Sequence, residues 1–273
     1  MLRRFDGQAV LITGASSGVG AALAREFARE GAHTILMARR GDRLQALARE
    51  LTNSGRRSLA VVGDVTCDGD LERAVDLARV EFGHLDVAVA NAGFSVGGRL
   101  MDLTLEDYRR QFETNVFGVL RTLFAAIPEL RKTHGRIILV GSFLGIIPIP
   151  GGTPYCMSKF ALTALAEGLS HELAADGVSV THILAGFLDT EIYRVDNRGV
   201  HNAESSRRTP PPWLLYSADR AARQIVSAAY QRRHMKIIST HAKAGIFLER
   251  HTPGLVHLAI ARAIRKAGIR RRS

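Results

Sequence analysis

The sequence predicts an α/β fold, a single doubly wound domain whose seven-stranded parallel sheet is flanked by helices. Three observations predict it. Short apolar runs alternate with segments of helical period, the strands are apolar almost throughout, and 273 residues with 46% hydrophobic content can bury one large core. No repeat or linker divides the chain, so we expect one domain over residues 1–240 and a basic helical extension over residues 241–273.

The elements follow one another in βα order. Apolar runs of strand length predict strands at residues 8–13, 33–38, 58–62, 86–90, 136–141, 178–184 and 235–239. Helical periodicity predicts helices at residues 18–30, 42–52, 70–81, 105–130, 154–175 and 218–232. Pro128 is expected to end or kink the fourth helix. The polar, then proline-rich residues 196–212 predict a long loop before the last of these helices.

Charge and cysteine content narrow the class of protein. The net charge is +11, yet residues 1–191 hold 20 basic and 22 acidic side chains, whereas residues 192–273 hold 17 basic and 4 acidic ones. The excess of basic side chains points to a partner surface in the last third of the chain.

Cys67 and Cys156 give neither a disulfide framework nor a metal-ligand pattern, which indicates a reducing, cytoplasmic location and no metal. We expect neither a signal peptide nor a membrane-spanning helix.

A glycine-rich turn joins the first strand to the first helix, with the spacing Thr13-Gly14-x-x-x-Gly18-x-Gly20. Glycines let the backbone approach a pyrophosphate, which the N-terminus of the following helix attracts. The turn is therefore predicted to bind a dinucleotide, although a turn without a ligand could have the same sequence. The expected contacts are Gly14, Ser16, Ser17, Gly18, Val19 and Gly20.

The residues after the second strand indicate which dinucleotide is bound. An acid there would bind the ribose 2′-hydroxyl of NAD, whereas an arginine suits the 2′-phosphate of NADP. The strand ends in Ala38-Arg39-Arg40, with no acid before Asp42. Arg39 and Arg40 therefore favour NADP(H) over NAD(H), unless both are solvated loop charges. Further cofactor contacts are expected from Asp64, Val65, Asn91, Ala92 and Gly93.

Tyr155 and Lys159 form a pair that suggests acid–base catalysis. They are four residues apart, about one helical turn, so the phenol and the ammonium project from the same face, and Ser142 lies thirteen residues upstream. A free tyrosine has a pKa of about 10. A cation beside it would favour the phenolate and lower that pKa toward neutrality. A Tyr–Lys pair on the surface of a helix would show the same spacing, so this pair is evidence for a catalytic site only together with the other motifs.

These motifs together resemble the short-chain dehydrogenase/reductase family, which implies a Rossmann-like fold. They occur in the family's order over about residues 6–240, as Thr13-Gly14-x-x-x-Gly18-x-Gly20, Asp64-Val65, Asn91-Ala92-Gly93, Asn115, Ser142 and Tyr155-x-x-x-Lys159. One element differs from the family's sequence pattern, because Ala185-Gly186 stands where the family has Pro-Gly after the sixth strand. Gly186 and Thr190 are expected to complete the cofactor contacts, with Thr190 at the nicotinamide amide.

The resemblance implies hydride transfer between the nicotinamide and a carbonyl or alcohol carbon. Tyr155 would give or take the hydroxyl proton. Lys159 would bind the nicotinamide ribose and lower the pKa of Tyr155, and Ser142 would hydrogen-bond the substrate oxygen. Asn115 would hold a water in a proton relay behind Lys159, or its amide could simply bond the backbone.

The loops at the carboxyl ends of the strands are expected to shape the substrate pocket. Most are apolar, and no arginine pair near Ser142 marks an anionic substrate, so we expect an uncharged or lipophilic ketone, aldehyde or secondary alcohol. The candidates, which could equally serve packing, are Phe94, Ser95, Val96, Phe143, Leu144, Ile147, Pro148, Ile149, Pro150, Phe187 and the loop at residues 193–213. The exact substrate, the stereochemistry and the direction stay open.

The basic extension has more than one interpretation. Residues 255–267 form a wide apolar helical surface bordered by Arg262, Arg265, Lys266 and the Arg270-Arg271-Arg272 end. Such a helix suits the anionic inner face of a membrane, and equally suits packing on its own domain or on a partner subunit. The family resemblance also suggests a homodimer or tetramer through the fourth and fifth helices.

Two other classes of function compete with an NADP(H)-dependent carbonyl reductase. A dinucleotide-binding regulator without turnover would share the glycine turn but would not require Tyr155 with Lys159. A nucleic-acid-binding protein is suggested only by the basic tail, which lacks a recognition motif and interleaved aromatic residues. We therefore expect no nucleic-acid partner.

Overall fold

The computed structural model describes residues 3–201 and 209–266, with side chains described as far as Arg262. The strands are β1 (Ala9–Thr13), β2 (His33–Ala38), β3 (Ser58–Val62), β4 (Val87–Ala90), β5 (Arg136–Val140), β6 (Ser179–Ala185), β7 (Leu188–Asp189), β8 (Tyr216–Ser217) and β9 (Met235–Ile238). The helices are α1 (Gly18–Arg29), α2 (Gly41–Asn53), α3 (Asp70–Phe82), α4 (Leu105–Phe112), α5 (Gly118–Thr133), α6 (Thr153–Glu172), α7 (Ala218–Tyr230), α8 (Thr240–His251) and α9 (Pro253–Lys266). The Arg270-Arg271-Arg272 end, the Arg265 and Lys266 side chains and residues 202–208 of the predicted loop lie outside the described residues.

Seven parallel strands form the main sheet in the order β3-β2-β1-β4-β5-β6-β9, which confirms the predicted doubly wound α/β fold. The strand order reverses its direction between β1 and β4, and the carboxyl ends of strands at such a point form a crevice for a ligand. Val10 pairs with Thr34 on one side and with Val87 on the other. The glycine turn after β1 and the Asn91 turn after β4 therefore open at the same edge of the sheet.

Alternate residues of the strands face two separate layers of helices. In β1, Val10 and Ile12 pack in a cluster with α1, α2 and α7, whereas Ala9 and Leu11 pack in a cluster with α3, α5 and α6. All four side chains are fully buried. Full burial of a side chain the size of valine or leucine stabilises a fold by about 1.5–3 kcal/mol. Both layers therefore hold in place the sheet that carries the crevice.

The helix predicted at residues 105–130 is interrupted and longer than expected. A π-helical segment, Glu113–Phe117, separates α4 from α5. Pro128 lies inside α5 and does not end it; a kink at Pro128, the other outcome expected from the sequence, stays a prediction. The buried side chains of Ala126 and Leu130, on either side of the proline, hold α5 against the sheet. Their packing offsets the backbone hydrogen bond that proline cannot donate.

The last two helices continue the fold beyond the sheet. In α9, Val256 and Ile260 pack against a third apolar cluster, whose buried members are Phe143, Leu144, Ile147, Cys156, Leu184, Ala242 and Ile246. One face of α9 thus packs on its own domain, one of the arrangements that the sequence left open. None of the helices in the described part of the chain has the length and apolar content needed to span a bilayer.

Candidate active site

The turn after β1 needs its glycines for two different reasons. Gly14 has a φ of +67° and Gly18 a φ of +54°, values that L side chains rarely adopt. Gly20 allows close packing instead, because a Cβ there would lie 2.3 Å from the carbonyl oxygen of Gly14. The turn presents bare backbone and the N-terminus of α1 to the crevice, an arrangement that suits a pyrophosphate.

Thr13 joins the two turns that form the floor of the crevice. Its Oγ1 accepts hydrogen bonds from the backbone N–H groups of Asn91 and Ala92 at 3.0 and 3.1 Å and donates to the carbonyl of Val89 at 3.2 Å. In return, Nδ2 of Asn91 donates to the carbonyl of Thr13 at 2.9 Å. These bonds satisfy the buried polar groups at the ends of β1 and β4 and fix the two turns relative to each other.

Arg39 and Arg40 lie beside the glycine turn. Arg40 donates to Oγ of Ser16 from Nε at 3.1 Å and from Nη2 at 3.0 Å, and from Nη2 to Oγ of Ser17 at 2.5 Å. Nη2 of Arg39 donates to the carbonyl of Gly199 at 2.8 Å, and its Nη1 lies 3.7 Å from the carboxylate of Asp64. The crevice therefore has a cationic edge at the end of β2.

The predicted catalytic side chains meet where β5 ends beside α6. This helix begins with a proline in its first turn, a common start for a helix. Oγ of Ser142 accepts from the backbone N–H of Leu144 at 3.2 Å, and Ser142 and Tyr155 line the same end of the cavity. Nζ of Lys159 donates to the carbonyl of Val140 at 2.9 Å and lies 5.6 Å from the centre of the Tyr155 ring. The lysine thus faces the ring and a backbone carbonyl.

Burial dominates the ionisation of this group of side chains. It raises the pKa of Tyr155 to about 12, since the nearby Ser142 hydroxyl lowers the pKa by less than burial raises it. Burial also lowers the pKa of Lys159 to about 8. The lowered Tyr155 pKa that the Tyr–Lys spacing predicts is therefore not found, because the cost of burying a phenolate exceeds the gain from nearby donors. Tyr155 keeps its proton at neutral pH.

Asn115 is fully buried in the π-helical segment and lies behind the crevice. Its Oδ1 accepts from the backbone N–H of Phe94 at 3.1 Å, and its Nδ2 donates to the carbonyl of Phe94 at 3.0 Å and to Oγ of Ser158 at 3.2 Å. The amide therefore holds the loop after β4 against α6. Its predicted place in a water relay stays a prediction.

A cavity of about 620 Å³ extends from the glycine turn to Tyr155. It brings together the predicted site residues apart from Gly20 and Asn115, which lie behind it. The predicted residues that line it are Gly14, Ser16, Ser17, Gly18, Val19, Arg39, Arg40, Asp64, Val65, Asn91, Ala92, Gly93, Ser142, Tyr155, Lys159, Gly186 and Thr190.

Comparison with known proteins identifies this arrangement. A family model described as short chain dehydrogenase matches residues 8–200. This chain belongs to the short-chain dehydrogenase/reductase family. Among curated relatives of this oxidoreductase, the oxidoreductase UcpA of Salmonella typhimurium is 36% identical over 189 residues, which cover 68% of this chain and 72% of the relative. The family predicted from the motifs is confirmed.

Solved structures of short-chain dehydrogenases share the fold. A member from Burkholderia phymatum, in complex with NAD, has a TM-score of 0.81 and 24% identity, covering 92% of this chain and 96% of that one. A member from Burkholderia cenocepacia, in complex with NADP, has a TM-score of 0.76 and 29% identity, covering 88% of this chain and 99% of that one.

The loop after β6, where this short-chain dehydrogenase departs from the family's Pro-Gly, is held by the start of α8. The backbone N–H of Phe187 donates to Nε2 of His241 at 2.9 Å. Burial lowers the pKa of His241, which keeps the ring neutral and able to accept. The Phe187 ring packs edge-on against Phe143, with centroids 5.1 Å apart. A Cβ at Gly186 would lie 2.2 Å from Oγ of Ser239, so the loop and α8 touch directly.

Most of the predicted substrate residues line the cavity. Those that do are Phe94, Ser95, Phe143, Leu144, Ile149, Pro150 and Phe187. Three candidates, Val96, Ile147 and Pro148, do not line it. Val96 and Ile147 are buried, which fits the packing alternative, and Pro148 lines a separate surface pocket beside Met157. Of the predicted loop at residues 193–213, the lining includes Tyr193, Val195, Gly199, His201 and Pro210.

Sequence reasoning missed Glu191, which also lines the cavity. The signal that could have found it is its place immediately after Thr190, in a loop that sequence reasoning assigned to the cofactor. Tyr193, whose pKa is raised by burial, is two residues further on. Within residues 3–201 and 209–266, no cluster of three or more His, Cys, Asp or Glu side chains is arranged to hold a metal ion.

Proposed function

We propose that this chain is an NADP(H)-dependent carbonyl reductase that transfers a hydride between the nicotinamide and an uncharged or lipophilic ketone or secondary alcohol, with Tyr155 as general acid/base. The observation that carries the proposal is that Ser142, Tyr155 and Lys159 line one end of a crevice whose other end is the glycine turn. Membership of an oxidoreductase family, with solved members that hold NAD or NADP, supports a nicotinamide cofactor.

A dinucleotide suits the residues that line the crevice. Gly14 and Gly18 leave the backbone bare where a pyrophosphate would lie. At the cationic edge, the guanidinium of Arg40 and the hydroxyl of Ser16 are donors that match a phosphate dianion, and Arg39 adds a second positive charge. The bound cofactor would supply or accept the hydride. A 2′-phosphate bound at this edge would make NADP(H) the preferred cofactor.

The side chains around Tyr155 favour the reduction of a carbonyl. Because its pKa is about 12, Tyr155 is protonated at neutral pH and can donate its proton to a substrate oxygen that gains negative charge. Ser142 would hold that oxygen by a second hydrogen bond. Lys159 is held against the Tyr155 ring, where its positive charge would stabilise the phenolate that the proton transfer leaves behind.

A screen of ketones and aldehydes with NADPH and with NADH tests the proposal. We expect turnover of apolar, uncharged carbonyls, because the aromatic side chains of Phe94, Phe143 and Phe187 line the cavity. Binding of the cofactor without turnover of any carbonyl would instead favour the regulator. Preferred turnover of carboxylate or phosphate substrates would contradict the proposed substrate class.

The cationic edge gives a sharper test of cofactor choice. We expect Arg40→Gln to raise the dissociation constant of NADPH by about tenfold, because a charge-assisted bond to the 2′-phosphate is lost, and to change that of NADH by less than about twofold. Fluorescence titration of both cofactors measures the effect. Arg25→Gln is the matched control, since Arg25 pairs with Glu50 on the surface at 2.7 Å and does not line the cavity. Equal weakening of both cofactors by Arg40→Gln would contradict the assignment.

The extension has an exposed apolar face that supports contact with an anionic membrane surface. Phe247 and Leu248 of α8 are 61% and 49% exposed, and Leu255 and Leu258 of α9 are 64% and 45% exposed. Arg262 lies on the same helix as the two leucines and can face anionic lipid. A peripheral location at the inner face of a membrane would follow from such contact.

Vesicle co-sedimentation tests the membrane contact. We expect the full chain to pellet with vesicles that contain phosphatidylserine and the double variant Leu255→Asp/Leu258→Asp to stay largely in the supernatant, because charges on the apolar face oppose burial in the headgroup region. Vesicles of phosphatidylcholine alone measure the share of binding that is not electrostatic. Equal pelleting of the variant and the natural chain would show that this face does not bind lipid.

Exposed apolar side chains of the fourth and fifth predicted helices support the proposed homodimer. They are Leu105, Phe117, Phe124, Met157 and Phe160. Contiguous exposed apolar patches mark protein interaction sites, and a homodimer through these helices would bury these side chains.

A further inference from the structure

The carboxylate of Glu191 already occupies the cationic edge of the crevice. Its Oε2 accepts from Nη1 of Arg40 at 2.9 Å, and Nη1 of Arg43 donates to Oε1 at 2.8 Å and to Oε2 at 2.9 Å. Burial alone would raise the pKa of Glu191, but the hydrogen bonds from Arg43 and Arg40 lower it to about 2. Glu191 is therefore an anion at neutral pH, seated between two guanidinium groups.

The hydrogen-bond donors of Arg40 are almost all in use. A guanidinium carries five N–H groups. Those of Nε and Nη2 serve the hydroxyls of Ser16 and Ser17, and one of Nη1 serves Glu191. A phosphate can therefore bind Arg40 fully only by displacing one of these partners. The carboxylate is the partner that a dianion would displace, because the two negative charges repel each other whereas the hydroxyls can turn and donate.

The position of Glu191 ties this competition to the loop over the crevice. The residue follows Thr190, whose side chain lies close enough to Gly18 that a Cβ there would meet it at 3.1 Å. Further along the same loop, the carbonyl of Gly199 accepts from Arg39. Arg39 and Arg40, which favour NADP(H), thus bind residues of this loop and also form the cationic edge of the crevice.

We propose that Glu191 is a specificity-determining residue, whose carboxylate competes with the 2′-phosphate of NADP(H) for Arg40 and so limits the preference for NADP(H) over NAD(H). The inference rests on the proposed function of this crevice as a dinucleotide site. NAD(H), which has a hydroxyl in place of the 2′-phosphate, can bind while the Arg40–Glu191 ion pair stays intact. Glu191 therefore lowers the affinity for NADP(H) and leaves the affinity for NAD(H) unchanged.

The test compares dissociation constants of NADPH and NADH for the natural chain and Glu191→Gln, measured by fluorescence titration. Glutamine keeps the size of the side chain and removes its charge. We expect NADPH to bind about fivefold more tightly in the variant, the size of effect typical of a partly exposed ion pair, and NADH to change by less than about twofold. Glu191→Ala, as a second variant, should shift the ratio of the two constants in the same direction.

Glu50→Gln is the matched control, because Glu50 pairs with Arg25 at 2.7 Å on the surface and does not line the cavity. It should leave both constants unchanged. Equal weakening of both cofactors by Glu191→Gln would show that the residue only holds the loop, and an unchanged ratio would also overturn the inference. Tighter binding of NADH than of NADPH by the natural chain would contradict the NADP(H) preference, yet a shift toward NADPH in Glu191→Gln would still support the role of Glu191.

Discussion

Tyr155→Phe is expected to lower kcat/KM for carbonyl reduction by about 10³-fold, the middle of the range for loss of a general acid. Phenylalanine keeps the ring that Lys159 faces but has no proton to give. NADPH binding should change by less than about twofold, because the cationic edge and the glycine turn are untouched. Steady-state kinetics and a fluorescence titration on the same preparation measure the two effects.

The control for this substitution is Tyr230→Phe, which removes a phenol from the exposed side of α7, where the ring contacts Phe5. It should leave kcat/KM unchanged. If Tyr155→Phe keeps full turnover, another group donates the proton and the proposed mechanism is wrong. If it loses NADPH binding as well as turnover, the phenol has a structural role at the cofactor site that the geometry does not indicate.

Lys159→Met is expected to abolish turnover and yet to raise the free energy of unfolding by about 1 kcal/mol at pH 7. Burial lowers the pKa of Lys159 from 10.5 to about 8, and each unit of pKa shift corresponds to about 1.4 kcal/mol of unfavourable burial of the charged form. Loss of the hydrogen bond from the charged amine to the Val140 carbonyl offsets about 2 kcal/mol of that gain. Methionine has a similar length and no charge to bury.

The pH dependence of this gain has a definite sign. Because the folded-state pKa is lowered, the folded chain binds fewer protons than the unfolded chain between about pH 8 and pH 10.5. The penalty is fully present below pH 8, where Lys159 is charged in both states, and it disappears as the pH rises through that window. The difference between Lys159→Met and the natural chain should therefore shrink from pH 7 to pH 10.

Urea denaturation at several pH values measures this difference, and Lys243→Met serves as the control. Lys243 is exposed on α8, so its substitution should change the free energy of unfolding by less than about 0.5 kcal/mol. A Lys159→Met variant that is less stable than the natural chain at pH 7 would mean that the lysine contributes more through its contacts than its burial costs. A buried charge kept at a net cost to stability is typical of a functional site.

Local sequence patterns were sufficient to predict the sheet and the residues that meet at its edge. Apolar runs and glycine spacing are short-range signals, and the carboxyl ends of parallel strands bring them together without further information. The continuation of the helix that contains Pro128 beyond the predicted residue 130 to Thr133 was not predictable in this way, because it depends on packing by Ala126 and Leu130 against distant strands.

The pKa values and long-range contacts of the site could not be predicted from the sequence, because they depend on the three-dimensional surroundings of each residue. The spacing of Tyr155 and Lys159 predicts a lowered tyrosine pKa, but the outcome depends on burial and on where the amine points. Glu191 meets Arg40 across more than a hundred residues of chain, and no local pattern marks a contact of that range. The position of Asn115 behind the crevice likewise depends on the loop that it holds.

The contact between Phe187 and His241 has a practical consequence for anyone who alters this protein. The C-terminal helices are not an appendage that can be trimmed, tagged or exchanged independently, since their first turn holds Phe187, whose ring is part of the cavity wall. Shortening or replacing them would also disturb the loop that carries Phe187 and so reshape what the cavity can accommodate as a reactant.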